Sequence, residues 1–385
     1  MTPQRKGNGM RRSGRITRKA LVGVVATALV MSSSAVTATA GPAAVGRHLL
    51  GTLGGSWSYP NDLNNAGQVV GHSQATDGRG HAFRWQRGVL TDLGKPGETS
   101  TANAVNERGV VVGTSENRAV MWRNGSMSIL VEATEAGPAM AYGVNDRDEV
   151  IGVRYLPTSY MYGQGFVWRN GRFVDLPGLG GDSYPVQINN RGDIVGFVEY
   201  DDGASTDAAL WRNGLLTVIQ PPGAVVSMAH AVNDRGQVLG SMKTITDSWH
   251  HFLWDNGVLT DLGDLNTVGI NNRGEVAANP DREPGALPVR WHRGTQTALA
   301  PLGGGSARAS AINSAGAVAG ESSTTGGQRH GVVWLRGGRT IDLGPLRFGT
   351  STASVWAMND RGLVVGVVDP DGAGTQGVVW KTAKG

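Results

Sequence analysis

Two stretches of nine residues, VNDRGQVLG at Val232–Gly240 and MNDRGLVVG at Met358–Gly366, are copies of one motif and decide the fold. The motif is an Asn after an apolar residue, in most copies a Gly three places later, and then a Val-x-Gly step. A Trp follows each copy, and the asparagines are 38 to 46 residues apart. Eight such pairs in register indicate an internal repeat. The asparagines are Asn64, Asn106, Asn145, Asn189, Asn233, Asn271, Asn313 and Asn359, and the tryptophans are Trp85, Trp122, Trp168, Trp211, Trp254, Trp291, Trp334 and Trp380.

Each copy divides into four short strands. The first ends at the Asn, the second contains the Val-x-Gly step, the third ends at the Trp and the fourth follows it. The Asn-Gly pairs at 124–125, 170–171 and 213–214 predict tight hairpins between the third and fourth strands. Small residues stand two places before several of the asparagines, as at Ala104 and Gly143, which suits a crowded position near an axis. Units of about 42 residues with four antiparallel strands are typical of propeller blades.

The two ends of the chain complement each other in this scheme. The eighth copy has only five residues after Trp380 and lacks a fourth strand, whereas HLLGTLGG at residues 48–55 matches the pattern of a fourth strand. The sequence therefore predicts an all-β, eight-bladed β-propeller of four-stranded antiparallel blades, closed by an N-terminal strand that completes the C-terminal blade. Residues 41–385 are expected to form this single domain.

Residues 1–40 are predicted to be a signal peptide. Seven Lys and Arg residues without any acidic residue precede the apolar run Ala20–Met31, and Ala38-Thr39-Ala40 fits a cleavage site. An uncleaved membrane anchor is the less favoured alternative, because twelve apolar residues are short for a span. Both the general secretory and the twin-arginine route stay open. We expect a secreted protein that has no membrane association after cleavage.

The overall charge does not indicate a nucleic-acid partner. The chain has 35 Lys and Arg against 31 Asp and Glu, but seven of the basic residues lie in the predicted leader. The remaining chain is slightly acidic and has no basic run, so nucleic-acid binding is not expected. There is no cysteine, so stability must come from the core. We expect a monomer.

The repeat resembles the HAF family of extracellular repeats, named for the step that stands here as His81-Ala82-Phe83. The Asn-Asp-x-Gly-x-Val-x-Gly and Asp-Leu-Gly pieces extend the resemblance over nearly all of residues 41–385. It implies a secreted bacterial repeat protein and adds no chemistry. Two departures are local: Asp148 replaces a turn glycine, and Asn279 is expected where copy six should have the glycine of the Val-x-Gly step.

No pattern in the sequence indicates catalysis, a metal site or a cofactor. His81, His250 and His330 each lie four residues before a repeat Trp, so a ring would hold them apart on different blades. The Asn-Asp-x-Gly turns lack the alternating oxygen ligands and the closing carboxylate of a calcium loop. The tryptophans are expected to pack between blades. No catalytic residue is nominated, and an enzyme is the less favoured reading.

The loops favour one face of the ring for binding. The turns between strands one and two, and three and four, are nearly invariant, whereas the other two kinds of loop vary and share the opposite face. RYLPTSYMYGQG at Arg154–Gly165 is interpreted as the longest loop between strands two and three. The candidate binding residues are Tyr155, Tyr160, Tyr162, Trp249 and His251. They predict binding of an extracellular glycan or protein. The alternatives are a glycan-acting hydrolase or lyase on the same scaffold, or a purely structural component.

Overall fold

The computed structural model describes residues 46–382 except 157–162, 202, 204, 247, 282–284, 346, 349–350 and 369–373. The described residues form 33 β-strands and no helix long and apolar enough to cross a membrane. Seven sheets are built from consecutive strands and the eighth from both ends of the chain.

Blades 1 and 2 are β2 (Gly54–Leu63), β3 (Gln68–Ala75), β4 (Gly80–Gln86), β5 (Val89–Asp92) and β6 (Ser100–Val105), β7 (Val111–Ser115), β8 (Arg118–Arg123), β9 (Ser126–Val131). Blades 3 and 4 are β10 (Ala139–Val144), β11 (Val150–Tyr155), β12 (Gly163–Arg169), β13 (Arg172–Asp175) and β14 (Gly180–Ile188), β15 (Ile194–Tyr200), β16 (Thr206–Arg212), β17 (Leu215–Ile219). Blades 5 and 6 are β18 (Ala224–Val232), β19 (Val238–Thr244), β20 (Trp249–Asp255), β21 (Val258–Gly263) and β22 (Leu265–Ile270), β23 (Val276–Pro280), β24 (Val289–His292), β25 (Thr295–Ala298). Blade 7 is β26 (Gly303–Ile312), β27 (Val318–Thr324), β28 (Arg329–Trp334), β29 (Thr340–Pro345). Blade 8 is β31 (Ser351–Met358), β32 (Leu363–Val368), β33 (Gln376–Lys381) and, beside β33, β1 (Gly46–Leu49). The short β30 (Arg347–Phe348) lies beside β31.

The ring closes as the sequence predicts, through a blade shared by the two ends of the chain. Strand β1 pairs antiparallel with β33, from Gly46 opposite Lys381 to Leu49 opposite Val378. The paired segment is shorter and begins earlier than the predicted 48–55, because the chain after Leu50 turns toward blade 1, where Leu53 bridges Ala75. The first strands of neighbouring blades contact one another all around the ring, including β31 with β2. The protein is therefore an eight-bladed β-propeller.

The repeat tryptophans pack in the core between blades, as the sequence predicts. Trp122, Trp211 and Trp380 are at most 2 % exposed and lie in three different hydrophobic clusters. The indole N–H of Trp122 donates to the carbonyl of Leu93 in the preceding blade at 2.9 Å, which satisfies its only polar group. Each such ring fills the wedge between two sheets that are apolar on both faces.

The eight repeat asparagines, which we call the ring asparagines, form a closed circle of hydrogen bonds. The Nδ2 of each donates to the backbone carbonyl of the ring asparagine in the next blade, at 2.8–3.3 Å. The last of these bonds runs from Asn359 to Asn64 across 295 residues. The Oδ1 of Asn189 also accepts the N–H groups of Arg191 and Asp193 at 2.9 Å each. The repeated Asn thus holds its own turn and the neighbouring blade together.

The turns adopt the backbone conformations that their residues require. Six of the seven hairpins between strands three and four in blades 1 to 7 have two consecutive residues with positive φ, as at Asn124 and Gly125, which matches a type I′ turn. Asp148 takes the place of the turn glycine with φ 61°, a region that Asp tolerates. The face that carries these short turns, together with those after the ring asparagines, is called the turn face below. The opposite face is called the variable face.

Two details of the repeat differ from the sequence interpretation. The residue of blade 6 that is equivalent to the Val-x-Gly glycine is Ala278, which lies opposite Thr267, and not Asn279. Asn279 instead bonds the backbone N–H and carbonyl of Ala309 in blade 7, at 2.8 and 3.0 Å. Arg154 and Tyr155, which the sequence assigns to the long loop of blade 3, belong to β11, and Gly163 begins β12, whereas residues 157–162 of that loop lie outside the described residues.

Candidate functional site

The first strand of every blade lines the axis of the ring and alternates between two environments. In β18, Ser227 and Ala229 are fully buried between blades, whereas Met228 and His230 are partly exposed. The partly exposed side chains of these innermost strands face the central opening, which we call the axial channel. Along each strand, residues seven, five and three places before the ring asparagine therefore mark three successive levels, from the variable face to the turn face.

An aromatic cluster lies in blade 1 at the upper two levels of the channel. Trp57, Tyr59 and His72 contact one another with ring centroids 5.4 to 5.7 Å apart, and Tyr59 stacks on His72. Burial lowers the pKa of His72, so its imidazole is neutral at pH 7. In blade 8, Trp356 at the lowest level is 43 % exposed, which is unusual for a Trp on an inner strand. Tyr59 and Trp356 thus give one side of the channel aromatic side chains, whereas the ring of Trp57 extends outward over Gly80 of strand three.

A second aromatic cluster lies between blades 3 and 4. Tyr184 packs on Phe197 with centroids 5.0 Å apart, and its hydroxyl hydrogen-bonds the Asp182 carboxylate and interacts with Tyr155. Burial and these contacts raise the pKa of Tyr184, and burial raises the pKa of Tyr142 to about 12. Both phenols are therefore un-ionised hydrogen-bonding groups at neutral pH.

Two carboxylates belong to this second cluster. Asp182 Oδ1 accepts the backbone N–H of Gly163 at 2.8 Å, which ties it to blade 3. Glu199 on the neighbouring strand has a raised pKa, because of its partial burial and then because of the negative charge of Asp182. The two neighbouring carboxyl groups therefore lie in different environments, which is the arrangement that divides acid–base roles between a pair.

The structure brings only part of the predicted site together. Tyr155 is partly buried and joins the cluster of Tyr142 and Tyr184 described above. Trp249 lies on blade 5 and is 45 % exposed, and among the described residues no ring contact joins it to the blade 3 cluster. Tyr160 and Tyr162 lie outside the described residues. Their roles stay predictions, as does that of Trp249.

His251 lies between blades 5 and 6. Its Nδ1 is 2.9 Å from Thr267 Oγ1, and its ring is 5.8 Å from that of His230. Burial, and then the neighbouring His230, lowers the pKa of His251 to about 4. A neutral imidazole in this place links two blades at the level of the channel, and the exposed ring of Trp249 is not part of the same contact.

Sequence reasoning missed the aromatic residues of the inner strands. Trp57, Tyr59, Tyr142, Tyr184 and Trp356 occupy channel-facing places at which other copies have Thr, Asn, Met or Ser. The signal that identifies them is the contrast between copies at seven, five and three places before the ring asparagine. That contrast is informative only when it is known that these places face the axis and not a neighbouring blade.

The three repeat histidines have a structural role that explains two pieces of the repeat. Each bonds through Nδ1 to the Asp of the Asp-Leu-Gly piece of its own blade, at 2.9–3.0 Å. The pairs are His81–Asp92, His250–Asp261 and His330–Asp342. The same aspartates accept the N–H two residues later, for example that of Gly94 at 2.8 Å. These contacts join strand three to the end of strand four on three separate blades.

The channel ends at the turn face in a polar ring. The residue after each ring asparagine is mostly Asn, Asp or Glu, and its side chain accepts the backbone N–H of the equivalent residue in the preceding blade, as Asp146 does from Glu107 at 2.9 Å. An opening of about 260 Å³ remains at the axis, lined by residues of blades 4 to 8 such as Asn190, Asp234 and Asp360. The carboxylates of Asp234 and Asp360 accept backbone N–H groups of the preceding blades, so their first role is to hold the ring together.

Asp62 stands on the inner strand of blade 1, two places before its ring asparagine, and contacts the inner strand of blade 2. Its carboxylate accepts the N–H groups of Leu63 and Val105, at 2.8 Å each. Burial nevertheless raises the pKa of Asp62 from 3.8 to about 6. In blade 4 an uncharged Gln187 makes the equivalent contact, with Oε1 accepting the N–H of Val232 at 2.6 Å.

Relative to the parent chain, we expect Asp62→Asn to be about 1–3 kcal/mol more favourable at pH 7 than at pH 4. The folded state binds the Asp62 proton more tightly than the unfolded state does. The contribution of Asp62 to stability is therefore fully present below about pH 4 and declines as the pH rises through its folded pKa of about 6. The single amide oxygen of Asn cannot accept both N–H groups, and comparing the two pH values separates that loss from the titration. The variant should lose that decline, which urea denaturation at pH 4 and pH 7 measures. The reciprocal Gln187→Glu should destabilise at pH 7, and an Asp62→Asn variant whose stability relative to the parent is equal at both pH values would contradict the assignment.

In the described part of the chain, no three His, Asp or Glu side chains are grouped so that they would hold a metal ion.

Comparisons with known proteins agree on the fold and go no further. No family model and no curated protein matches the chain. Dipeptidyl peptidase 4 of Porphyromonas gingivalis is similar in structure over 85 % of this chain and 59 % of its own, with a TM-score of 0.54 and 11 % identity. A puromycin-hydrolyzing peptidase of Mycobacterium tuberculosis matches over 80 % and 57 %, with a TM-score of 0.48 and 12 % identity. The chain thus spans less than two thirds of each, and at 11 % identity the similarity to the first shows a shared fold alone.

Proposed function

We propose that the protein is an extracellular binding propeller that takes the end or a loop of a glycan chain into its axial channel from the variable face. The observation that carries the proposal is the set of aromatic rings on the inner strands, at Trp57, Tyr59, Tyr142, Tyr184 and Trp356. Sugar rings present apolar C–H faces that stack on such side chains, while their hydroxyls need polar partners. The predicted leader and the resemblance to HAF repeats support an extracellular location.

The position of the rings favours a slender ligand over a folded protein. Tyr59 and Tyr184 stand on the innermost strands and are only partly exposed, so a flat protein surface resting on the variable face would not reach them. Polar side chains lie among them, for example Asn61, whose Nδ2 donates to the Ala102 carbonyl at 2.9 Å, and Asp182. Recessed rings with interspersed polar groups suit a glycan chain that enters along the axis.

Binding of the chain to a panel of neutral cell-wall and environmental oligosaccharides tests the proposal, with tryptophan fluorescence as the readout. We expect saturable binding that Trp57→Ala and Trp356→Ala each weaken by roughly 30-fold, since truncation of an anchoring aromatic costs about 2 kcal/mol or more. Phe173→Ala is the matched control, because Phe173 is 40 % exposed on an outer strand. Binding that is absent, or equally affected by the control, would refute the proposal.

The predicted contribution of the blade 3 loop is tested separately. Tyr155→Ala is expected to weaken glycan binding through the contact of Tyr155 with Tyr184. Tyr160→Ala and Tyr162→Ala test the two predicted residues that lie outside the described part of the chain. Loss of binding in these variants would extend the site from the channel onto the variable face.

A glycan hydrolase or lyase is the second candidate, and the pair Asp182 and Glu199 favours it. Glycosidases use a pair of carboxyl groups as acid and nucleophile or base, and here Glu199 has a raised pKa beside Asp182. If the chain cleaves any oligosaccharide that it binds, Glu199→Gln should abolish cleavage and leave binding within about twofold. If the oligosaccharide is bound but no new reducing or unsaturated ends appear, the function is binding without catalysis.

A further inference from the structure

A second cavity opens on the turn face, between blades 5 and 6, far from the aromatic surface of the channel. It has a volume of about 580 Å³. Its apolar wall consists of Leu253, Val258 and Trp291, and its polar wall includes three arginines, Arg235, Arg273 and Arg293. Cavities of this size hold ligands as large as a sugar phosphate or a small saccharide.

The equivalent clefts between blades 3 and 4 and between blades 4 and 5 are filled by ion pairs. The residue after the repeat Trp is Arg212 in blade 4, and it bonds Asp193, four places after the ring asparagine, at 2.7 Å. The guanidinium of Arg212 packs directly on Gly236 of blade 5. In blade 3, Arg169 and Glu149 are 3.6 Å apart, and a cavity of only about 190 Å³ remains beside Arg169.

Blade 5 reverses this arrangement, and that reversal leaves its cleft open. The residue after Trp254 is Asp255, and the residue four places after the ring asparagine is Gln237. These two shorter side chains bond each other at 2.9 Å, and Asn256 also donates to Asp255 at 2.9 Å. The position after the repeat Trp therefore places no guanidinium in this cleft, and the acidic side chain there, Asp255, is already engaged.

The three arginines of the cleft lack the acidic partners that several of their counterparts have. In blade 3, the equivalent of Arg235 is Arg147, which bonds Glu149 at 2.6 Å. Among the described residues no carboxylate forms an ion pair with Arg235, Arg273 or Arg293. Arg273 is held in place by the Ala315 carbonyl at 2.9 Å, which leaves most of its N–H groups available. The cleft therefore carries an excess of positive charge beside an apolar wall.

We propose that this cleft binds an oxyanion group, a phosphate, sulfate or carboxylate, carried on a sugar-sized body that rests against Trp291. Arginine guanidinium groups suit such ligands, because their N–H donors match two oxygen atoms of an oxyanion at once. The site lies on the face opposite to the variable loops and goes beyond the proposed function. Neutral-glycan binding in the channel does not depend on it.

Titration of the full chain with glucose 6-phosphate, glucuronic acid and neutral glucose tests the proposal, with calorimetry as the readout at low and high ionic strength. We expect one or both anionic probes to bind at the cleft and to bind more weakly in high salt. Glucose should not bind there. The comparison of glucose 6-phosphate with glucuronic acid distinguishes a phosphate site from a carboxylate site.

The double variant Arg235→Gln/Arg293→Gln should weaken anion binding at least about tenfold, equal to roughly 1.4 kcal/mol. Arg361→Gln is the matched control, because Arg361 has the same place in the repeat of blade 8 and does not line the cleft. Thermal melting and the Trp57-dependent binding of neutral glycans check that the variants are folded and that the two sites are separate.

A further variant closes the cleft by giving blade 5 the pair found in blade 4. Gln237→Asp together with Asp255→Arg should place an ion pair in the cavity and supply Arg235 with an acidic partner, so that anion binding is lost while the fold is kept. The proposal is overturned if neither anionic probe binds, if glucose binds equally well, or if Arg361→Gln weakens binding as much as the double variant does. It is also overturned if the closed variant binds normally.

Discussion

A chain that begins at Thr52 should melt roughly 10 °C below one that begins at Gly46. The shorter chain lacks β1, which pairs with β33 and completes blade 8. It also lacks Leu50, which is 4 % exposed and packs against residues of blades 8 and 1, including Val379 and Phe83. Loss of a buried leucine costs about 2–5 kcal/mol and each lost backbone hydrogen bond about 1 kcal/mol. Each kcal/mol corresponds to about 2–4 °C in a domain of this size or somewhat smaller.

Calorimetry of the two chains measures this effect, and Leu50→Ala separates its components. That substitution keeps the strand pairing and should account for about half of the loss. The shorter chain also exposes the N–H and C=O groups of β33 as a free edge, so we expect concentration-dependent association in size-exclusion chromatography. Equal melting temperatures would mean that β1 does not hold the ring closed.

Asn189→Ala should lower the free energy of unfolding by about 3–4 kcal/mol. The buried Asn189 side chain makes four hydrogen bonds, two accepted from the N–H groups of its own turn and two donated. One donated bond reaches Asp193, whose burial acts to raise its pKa while hydrogen bonds from Arg212 and Asn189 lower it overall. Alanine leaves the Asn233 carbonyl, the turn N–H groups and part of the Asp193 carboxylate without partners.

The near-isosteric Asn189→Asp is expected to be at least as damaging. It keeps the two accepted bonds but replaces both donors by oxygen, next to the Asp193 carboxylate and the Asn233 carbonyl. Urea denaturation of both variants at pH 7 gives the comparison. Asn190→Ala is the control, since Asn190 is exposed and its side chain accepts one N–H, that of Asp146; its effect should be below about 1 kcal/mol. An Asn189→Asp variant as stable as the parent would contradict the role of Nδ2 as a link between blades.

Much of the architecture follows from the sequence, because it depends on features that repeat locally. The ring asparagines, the Asn-Gly pairs and the Trp-containing strands each predict a turn or a strand within one blade. Eight copies of one such unit leave a closed ring as the arrangement that buries every blade on both faces. The strand-four pattern near residue 48 was enough to predict the shared blade, although its paired segment proved to be Gly46–Leu49.

The candidate sites were decided by tertiary structure. Tyr155 could be nominated from its loop, but the rings of Trp57, Tyr184 and Trp356 become neighbours of a channel only after the inner strands are placed around an axis. The cleft of Arg235 depends on Gln237 and Asp255, which form a pair across 18 residues, and on blade 6 lying beside them. Local sequence patterns specify turns and strand periodicity, whereas contacts between blades depend on register and distance around the whole ring.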